Sequence, residues 1–263
     1  MRRGLFAALA ALSVAVAGAA LAPTAMAEEA AGGHETMSLA SPKWTFSGLF
    51  GTFDQAQLKR GFEVYHGVCS ACHSLKLVAY RNLSAVGLSD NEIKAVAAEK
   101  EVAGDPDDEG NPTTRKALPS DHFVPPFAND NAARASNNGA LPPDLSLIVK
   151  ARAGGPDYVY SILTGYTDPP AGFKLQEGLN YNRAFAGHQI AMPKPLNDDQ
   201  VTYADGTKAS LDQEARDVVT FLTWAAEPEL AARKRLGIKV LLFLILLTAM
   251  LYAIKRKVWS DLH

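Results

Sequence analysis

The stretch "CSACH", residues 69–73, constrains this chain more than any other feature, because it holds the only two cysteines, Cys69 and Cys72, in 263 residues. A disulfide-stapled framework is thereby excluded. C-x-x-C-H has three chemical readings. A structural zinc needs four ligands, usually drawn from two such pairs, and a second pair does not exist here. A redox dithiol of the thioredoxin kind belongs at a strand-to-helix turn within a βαβ unit. Here the pair follows "FDQAQLKRGFEVYHGV", which starts helically, in a chain with little strand signal. The third reading, covalent attachment of a c-type haem, is favoured. Both thiols then form thioethers with the ring's vinyl groups, and the adjacent His73 ligates the iron from one face.

Residues 1–27 read as a cleaved secretory signal, with Arg2 and Arg3 at its start, an apolar run over 5–21 and "AMA" at 25–27. Export suits a haem attached outside the cytoplasm. A second apolar run, "LGIKVLLFLILLTAMLYAI" (236–254), has 19 residues, close to what a bilayer-crossing helix needs. It is apolar all round, so it offers no single face to a soluble core. "RKR" before it balances "KRK" after it, and the basic flanks do not orient it. The signal does: the domain is exported and "VWSDLH" stays in the cytoplasm. The predicted organisation is a signal (1–27), an exported domain (28–232), a transmembrane anchor with basic flanks (233–257) and a cytoplasmic tail (258–263). A bacterial-type inner membrane with the haem domain in the periplasm is the expected location.

The overall charge of −2 conceals an acidic domain. Residues 28–232 carry 27 Asp and Glu against 17 Lys and Arg, a net −10. This acidic balance argues against nucleic acid as a partner and favours a basic partner or none.

The predicted fold class is mostly α, with long ordered loops. Asp54 is a helix N-cap ahead of Leu58, Phe62 and Tyr65 on one face. Ser89 with Glu92, and Ser210 with Gln213, read as capping boxes. "LSLIVKARAGG" reads as a short helix stopped by glycine. "PDYVYSILTGY" reads as another, with Pro156 at its first position. The Pro-, Gly- and Asn-rich stretch 101–144 reads as one long irregular connection. Asp205–Gly206 suggests a small hairpin. Pro228 breaks the last domain helix before the anchor.

A haem leaves the sixth iron position to be filled. Sequence candidates are His34, Met37, His66, His122, His188 and Met192. His66 lies seven residues before His73 on the same helix and cannot reach the opposite face. His34 and Met37 sit in a loose N-terminal segment. Met192 is favoured over His188 in "GHQIAMPKPL", because Pro193 restrains its approach and a Met ligand raises the potential.

Three stretches, "RGFEVYHGVCSACHSL", "ASNNGALPPDLSLIVKARAGGPDYVYSILTGY" and "YNRAFAGHQIAMPKPL", together with the single C-terminal anchor, resemble the cytochrome c1 family from about residue 44 onward. The resemblance implies the haem subunit of a cytochrome bc1 complex (ubiquinol–cytochrome c reductase), an electron carrier that is not catalytic alone. It implies one covalent haem c held by Cys69 and Cys72, with His73 and Met192 on the iron. It also implies that Asn137, Pro143, Arg152 and Tyr158 line the pocket, with Arg152 facing a haem propionate. The implied partners are the Rieske iron–sulfur protein as donor, cytochrome b, a basic soluble cytochrome c as acceptor, and membrane lipid. Lys194 interrupts the family's usual proline run, and the extra bracing cysteines of some relatives are missing. The acidic run 99–110 is a candidate docking surface, against the plainer reading of a solvated loop. The rival functions are a membrane-anchored cytochrome shuttling alone and a haem enzyme with an open sixth position.

Overall fold

The computed structural model describes residues 39–260. The expected signal, His34, Met37 and the last three residues lie outside the described residues.

Helix α1, Gln55–Gly67, starts where Asp54 accepts a hydrogen bond from the Gln57 amide at 2.8 Å, and it buries Leu58, Gly61, Phe62, Val64 and Tyr65. Helix α2, Asp90–Ala98, carries the full reciprocal box: the Ser89 hydroxyl accepts from the Glu92 amide, and the Glu92 carboxylate accepts from the Ser89 amide. A two-stranded hairpin follows, β1 (Glu101–Ala103) against β2 (Thr114–Lys116), then α3 (Asp130–Ser136) and α4 (Gly155–Thr164). A second antiparallel pair joins β3 (Asn180–Tyr181) to β4 (Gln189–Ile190). Helices α5 (Leu211–Ala226) and α6 (Leu230–Trp259) complete a mostly helical chain.

Helix α5 is the centre of the domain, with 12 of its 16 residues buried. Helix α1 crosses it through Phe62 and Tyr65 on Phe221, at ring separations of 5.8 and 5.6 Å. The backbones meet at Gly61, where an added Cβ would lie 2.0 Å from the Asp217 carbonyl oxygen. Beside this crossing, the Arg60 Nε donates to the fully buried Asp217 carboxylate at 2.8 Å. Helix α4 packs on the same helix, with the Tyr160 hydroxyl bonded to Asp212 and the Arg216 guanidinium 5.5 Å over the Tyr160 ring.

Several elements differ from the sequence expectation. Residues 145–151 form successive turns instead of a helix. The Leu145 amide donates to Ser74 and the Ser146 amide to Asp144, as at a helix start, but the Ile148 and Lys150 amides then close tight turns onto Leu145 and Leu147. The spacing of Leu145, Ile148 and Val149 still buries all three. Pro156 takes the second helical position of α4, after Gly155. The "irregular" stretch 101–144 contains the hairpin and α3, whose Asn129 side chain accepts from the Ala132 amide at 2.9 Å. Asp205–Gly206 is a turn with φ +75° at Gly206, but its flanks share a single backbone bond, from the Asp199 amide to the Ala209 carbonyl at 2.6 Å, and form no strand pair. The Val201 amide donates to Glu214 and the Ala204 amide to Glu63. At α5 only half of the expected box forms: Ser210 accepts from the Gln213 amide, while the Gln213 side chain reaches forward to Asp217.

Pro228 separates α5 from α6, as its sequence position predicts. Helix α6 has 30 residues, which makes it about 45 Å long, near the thickness of a bilayer with its headgroups. Among the described residues it is the one helix long and apolar enough to cross a membrane, and only Leu230 of it is buried.

Candidate haem site

The cysteine motif continues directly from α1. After Val68 caps the helix, Cys69–Ala71 form a tight 3-10 turn in which the Cys72 and His73 amides both donate to the Cys69 carbonyl, at 3.2 and 2.9 Å. Ser70 ties this turn back to the helix through the His66 carbonyl at 2.7 Å. The turn brings both cysteines to one short arc: Cys69 rests half-buried on the main apolar core and Cys72 is exposed. Burial, with the Cys72 thiol beside it, pushes the Cys69 thiol up to about 12. A redox dithiol works through a lowered thiol, so this environment is opposite to that chemistry. A helix precedes the pair, and the first strand among the described residues begins at Glu101. No group of three or more His, Cys, Asp or Glu converges among the described residues, which leaves the zinc reading without its further ligands.

His73 is oriented from the far side of the chain. Its Nδ1 lies 2.8 Å from the Pro143 carbonyl oxygen, which can only accept, so Nδ1 carries the proton. The other nitrogen, Nε2, is then the lone-pair face. Burial lowers the His73 pKa, and although the Pro143 bond and Asp144 act in the opposite direction, the net shift is downward. The imidazole is therefore held neutral, the form that ligates a metal. Asp144 locks this arrangement: its carboxylate accepts from Ser74 at 2.8 Å, from the Lys76 amide at 2.9 Å and from the Ser146 amide at 2.9 Å. The Leu145 amide donates to Ser74 and the Leu77 amide to Ser146, zipping 73–77 to 143–146.

Met192 belongs to a second, smaller apolar cluster with Ile162, Ala184 and Ile190, flanked by Tyr158, Tyr166 and Phe185. The β3–β4 pair ends two residues before it. Its carbonyl accepts from the Tyr166 hydroxyl at 3.0 Å and from Asn180 at 3.4 Å. The buried Asn182 holds this loop on α4, donating to the Ile162 carbonyl and accepting from the Ala184 amide. His188 has φ +56°, is half-buried in its loop, and its ring lies 5.6 Å from that of Tyr181.

Of the other expected pocket residues, Pro143 reaches His73 through its carbonyl. Tyr158 borders the Met192 cluster, and burial raises its hydroxyl while the neighbouring Arg152 pulls the other way. Arg152 itself is exposed and donates to the Ala151 carbonyl. Asn137 is used locally, capping the end of α3 with its amide on the Ala133 carbonyl at 2.7 Å. Among the sequence candidates for the sixth position, His66 pairs with Glu99 at 2.9 Å, and His122 is exposed on a bridge to Ala79. Asp144, Tyr166 and Asn182 were not singled out in the sequence. All three lie inside or beside the stretches that carry the resemblance, but their roles depend on partners 20 to 70 residues away.

The model of the Cytochrome C1 family matches residues 44–262. The chain is 51% identical over 265 residues to cytochrome c1 of Rhodospirillum rubrum, covering 95% of this chain and 96% of the relative. The chain belongs to the cytochrome c1 family. It is also 52% identical over 219 residues to the mitochondrial "cytochrome c1, heme protein" of Schizosaccharomyces pombe, covering 83% of this chain and 71% of the relative. A Candida albicans relative, named a cytochrome b-c1 complex catalytic subunit, is 52% identical over 220 residues, with 83% and 76% covered. Cytochrome c1 proteins carry haem, and the residues here fit that group. The thiols share one turn, the histidine presents a neutral Nε2, and a methionine lies in an apolar cluster apart from the main core.

Proposed function

We propose that this chain binds one haem c through Cys69 and Cys72, with His73 and Met192 as axial ligands, and serves as the electron-carrying subunit of a bc1-type complex. It would accept one electron from a Rieske iron–sulfur protein and pass it to a soluble cytochrome c. The hydrogen bond from His73 Nδ1 to the Pro143 carbonyl carries the reading, because it fixes the tautomer and aims the ligating nitrogen. A bound haem supplies a reversible one-electron iron couple. The protein's part is then to position and tune. Tyr166 and Asn180 restrain the Met192 backbone, and the exposed Arg152 beside Tyr158 is suited to a propionate. No nucleophile or general base is required. A tenfold change in such an equilibrium corresponds to about 59 mV, so small changes around Met192 redirect electron flow.

The cytochrome b-c1 wording of one relative's name supports assembly with cytochrome b and the Rieske protein. In this reading α6 anchors the chain in a bacterial-type inner membrane, the cleaved signal places the haem domain in the periplasm, and the C-terminus is cytoplasmic. The acidic run 99–110 would meet a basic acceptor. It is exposed, though Lys116 lies 3.6 Å from Glu101 and His66 pairs with Glu99, so part of its charge is already engaged.

Met192→Leu tests the ligand assignment. The variant is expected to lose the low-spin His–Met visible signature and to show a large fall in reduction potential. An unchanged spectrum and potential would assign the sixth position elsewhere. Mild-detergent purification tests the assembly: cytochrome b and a Rieske protein should co-purify, and isolation of the chain alone would favour a free shuttle.

A further inference from the structure

We propose that the loop 46–51 is a lipid-binding element, in which Leu49 and Phe50 enter the bilayer surface beside the point where α6 leaves the domain. The proposal rests on α6 being the membrane anchor.

The tip of this loop is apolar and open to solvent, with Leu49 59% and Phe50 78% exposed. It is nevertheless firmly built. Trp44 stacks on Phe46 at 5.4 Å, and Phe46 packs on Phe53 at 5.4 Å. The Ser47 amide donates to Trp44 and the Thr52 amide to Thr45, closing the loop at its base. Gly48 takes φ +72°, a conformation that favours glycine, and a Cβ on Gly51 would lie 2.0 Å from the Ser47 carbonyl oxygen. The closed turn therefore presents Leu49 and Phe50 outward as a fixed pair.

The position of the pair identifies its partner. Lys234, in the second turn of α6, donates from Nζ to the Phe46 carbonyl at 2.6 Å and to the Gly51 carbonyl at 3.2 Å. Both ends of the loop are thus clamped to the anchor helix. The exposed apolar surface of α6 begins at Leu236, two residues later and about 3 Å further along the axis. A bilayer's polar layer is about 5–7 Å deep on each side, so the loop lies within that layer when the apolar run fills the hydrocarbon. Arg235 is exposed at the same junction, where it suits a lipid phosphate, while the exposed Arg233 is paired with Glu227 at 2.6 Å. The exposed pair sits on a loop bonded to α6 two residues before its exposed apolar run begins, which favours lipid over a protein partner.

The test uses the full-length haem-loaded chain in phosphatidylcholine nanodiscs, prepared with ordinary or with brominated acyl chains. Phe50→Trp and Leu49→Trp report on the loop, and Phe243→Trp reports on the anchor. The parent chain's emission from Trp44, Trp224 and Trp259 is subtracted. Phe50 is largely exposed, so its replacement leaves the packed base of the loop in place. The expected result is loss of at least half of the added emission in brominated lipid at both sites. Emission from the loop tryptophans that is equal in both lipids, with Trp at 243 quenched, overturns the proposal and leaves the anchor standing. A loop tryptophan that is blue-shifted but unquenched in the assembled complex assigns the loop to another polypeptide and also overturns it. Absence of quenching at 243 removes the anchor and the proposal together.

Discussion

Replacing Gly61 by alanine sets two effects of opposite sign against each other. In the interior of α1, alanine is the better helix former by about 1 kcal/mol. The added Cβ, however, would stand 2.0 Å from the Asp217 carbonyl oxygen and 2.7 Å from the Phe221 Cβ on α5. That is about 1.5 Å short of an ordinary contact, and the opposing atoms are backbone or Cβ, which no rotamer change can move. The helices must separate at the point where Phe62, Tyr65 and Phe221 pack. Overpacking of this kind costs about 3 kcal/mol at the upper end of its usual range, leaving about 2 kcal/mol of net destabilisation. For a domain of this size the melting midpoint should fall by about 4–8 °C. Thermal and denaturant unfolding of the haem-loaded full chain would measure it, with Gly67→Ala as the companion. At Gly67 the nearest neighbour of an added Cβ is Val201 at 3.9 Å, so the same substitution should be neutral or slightly stabilising. A Gly61→Ala variant as stable as the parent would refute the backbone-contact account.

Three further outcomes follow from groups around that helix pair and the site. Arg60→Met leaves the buried Asp217 carboxylate with the Gln213 amide but without its cation, and should cost about 3–5 kcal/mol in denaturant unfolding; adding Asp217→Leu should recover much of the loss. Burial raises the Glu214 pKa against the opposing backbone bonds, and its Oε2 has no hydrogen-bond partner among the described residues. A raised carboxyl contributes stability that is full below the unfolded pKa and is lost as pH rises through the folded value. Glu214→Gln should therefore melt higher than the parent at pH 7, with the gain shrinking towards pH 4; an equal deficit at both pH values would contradict this. Asp144→Ala removes three hydrogen bonds, two of which join 73–77 to 143–146, and should cost on the order of 3 kcal/mol, with a shifted reduction potential as the His73–Pro143 contact loosens.

Where local pattern and local chemistry agree, the chain could be read directly. Asp54, Ser89 with Glu92, and the break at Pro228 act within a few residues of themselves, and each does in the structure what its spacing implies. The C-x-x-C-H spacing is local in the same sense, as is the uniform apolarity of 236–254. Segments 145–151 and 201–209 were misread for a common reason. Segment 145–151 closes into turns docked on Ser74, and the flanks of the Asp205–Gly206 turn bond mainly to Glu63 and Glu214, partners that short spacing does not reveal. Helix α3 went unnoticed inside a Pro- and Asn-rich stretch, although Asn129 before "DNAARAS" was a usable cap signal.

The sequence by itself determined the thiols, the adjacent histidine, the mostly helical class and a helix long and apolar enough to cross a bilayer, because each depends on residue type and short spacing. Tertiary structure alone decided which nitrogen of His73 is available, since Pro143 lies 70 residues away. It also decided that Gly61 is a crossing point and not a weak position in a helix, and that Lys234 clamps the 46–51 loop to the start of α6. Contacts of that range are made by the packing of whole elements, and local sequence carries no record of which elements will meet.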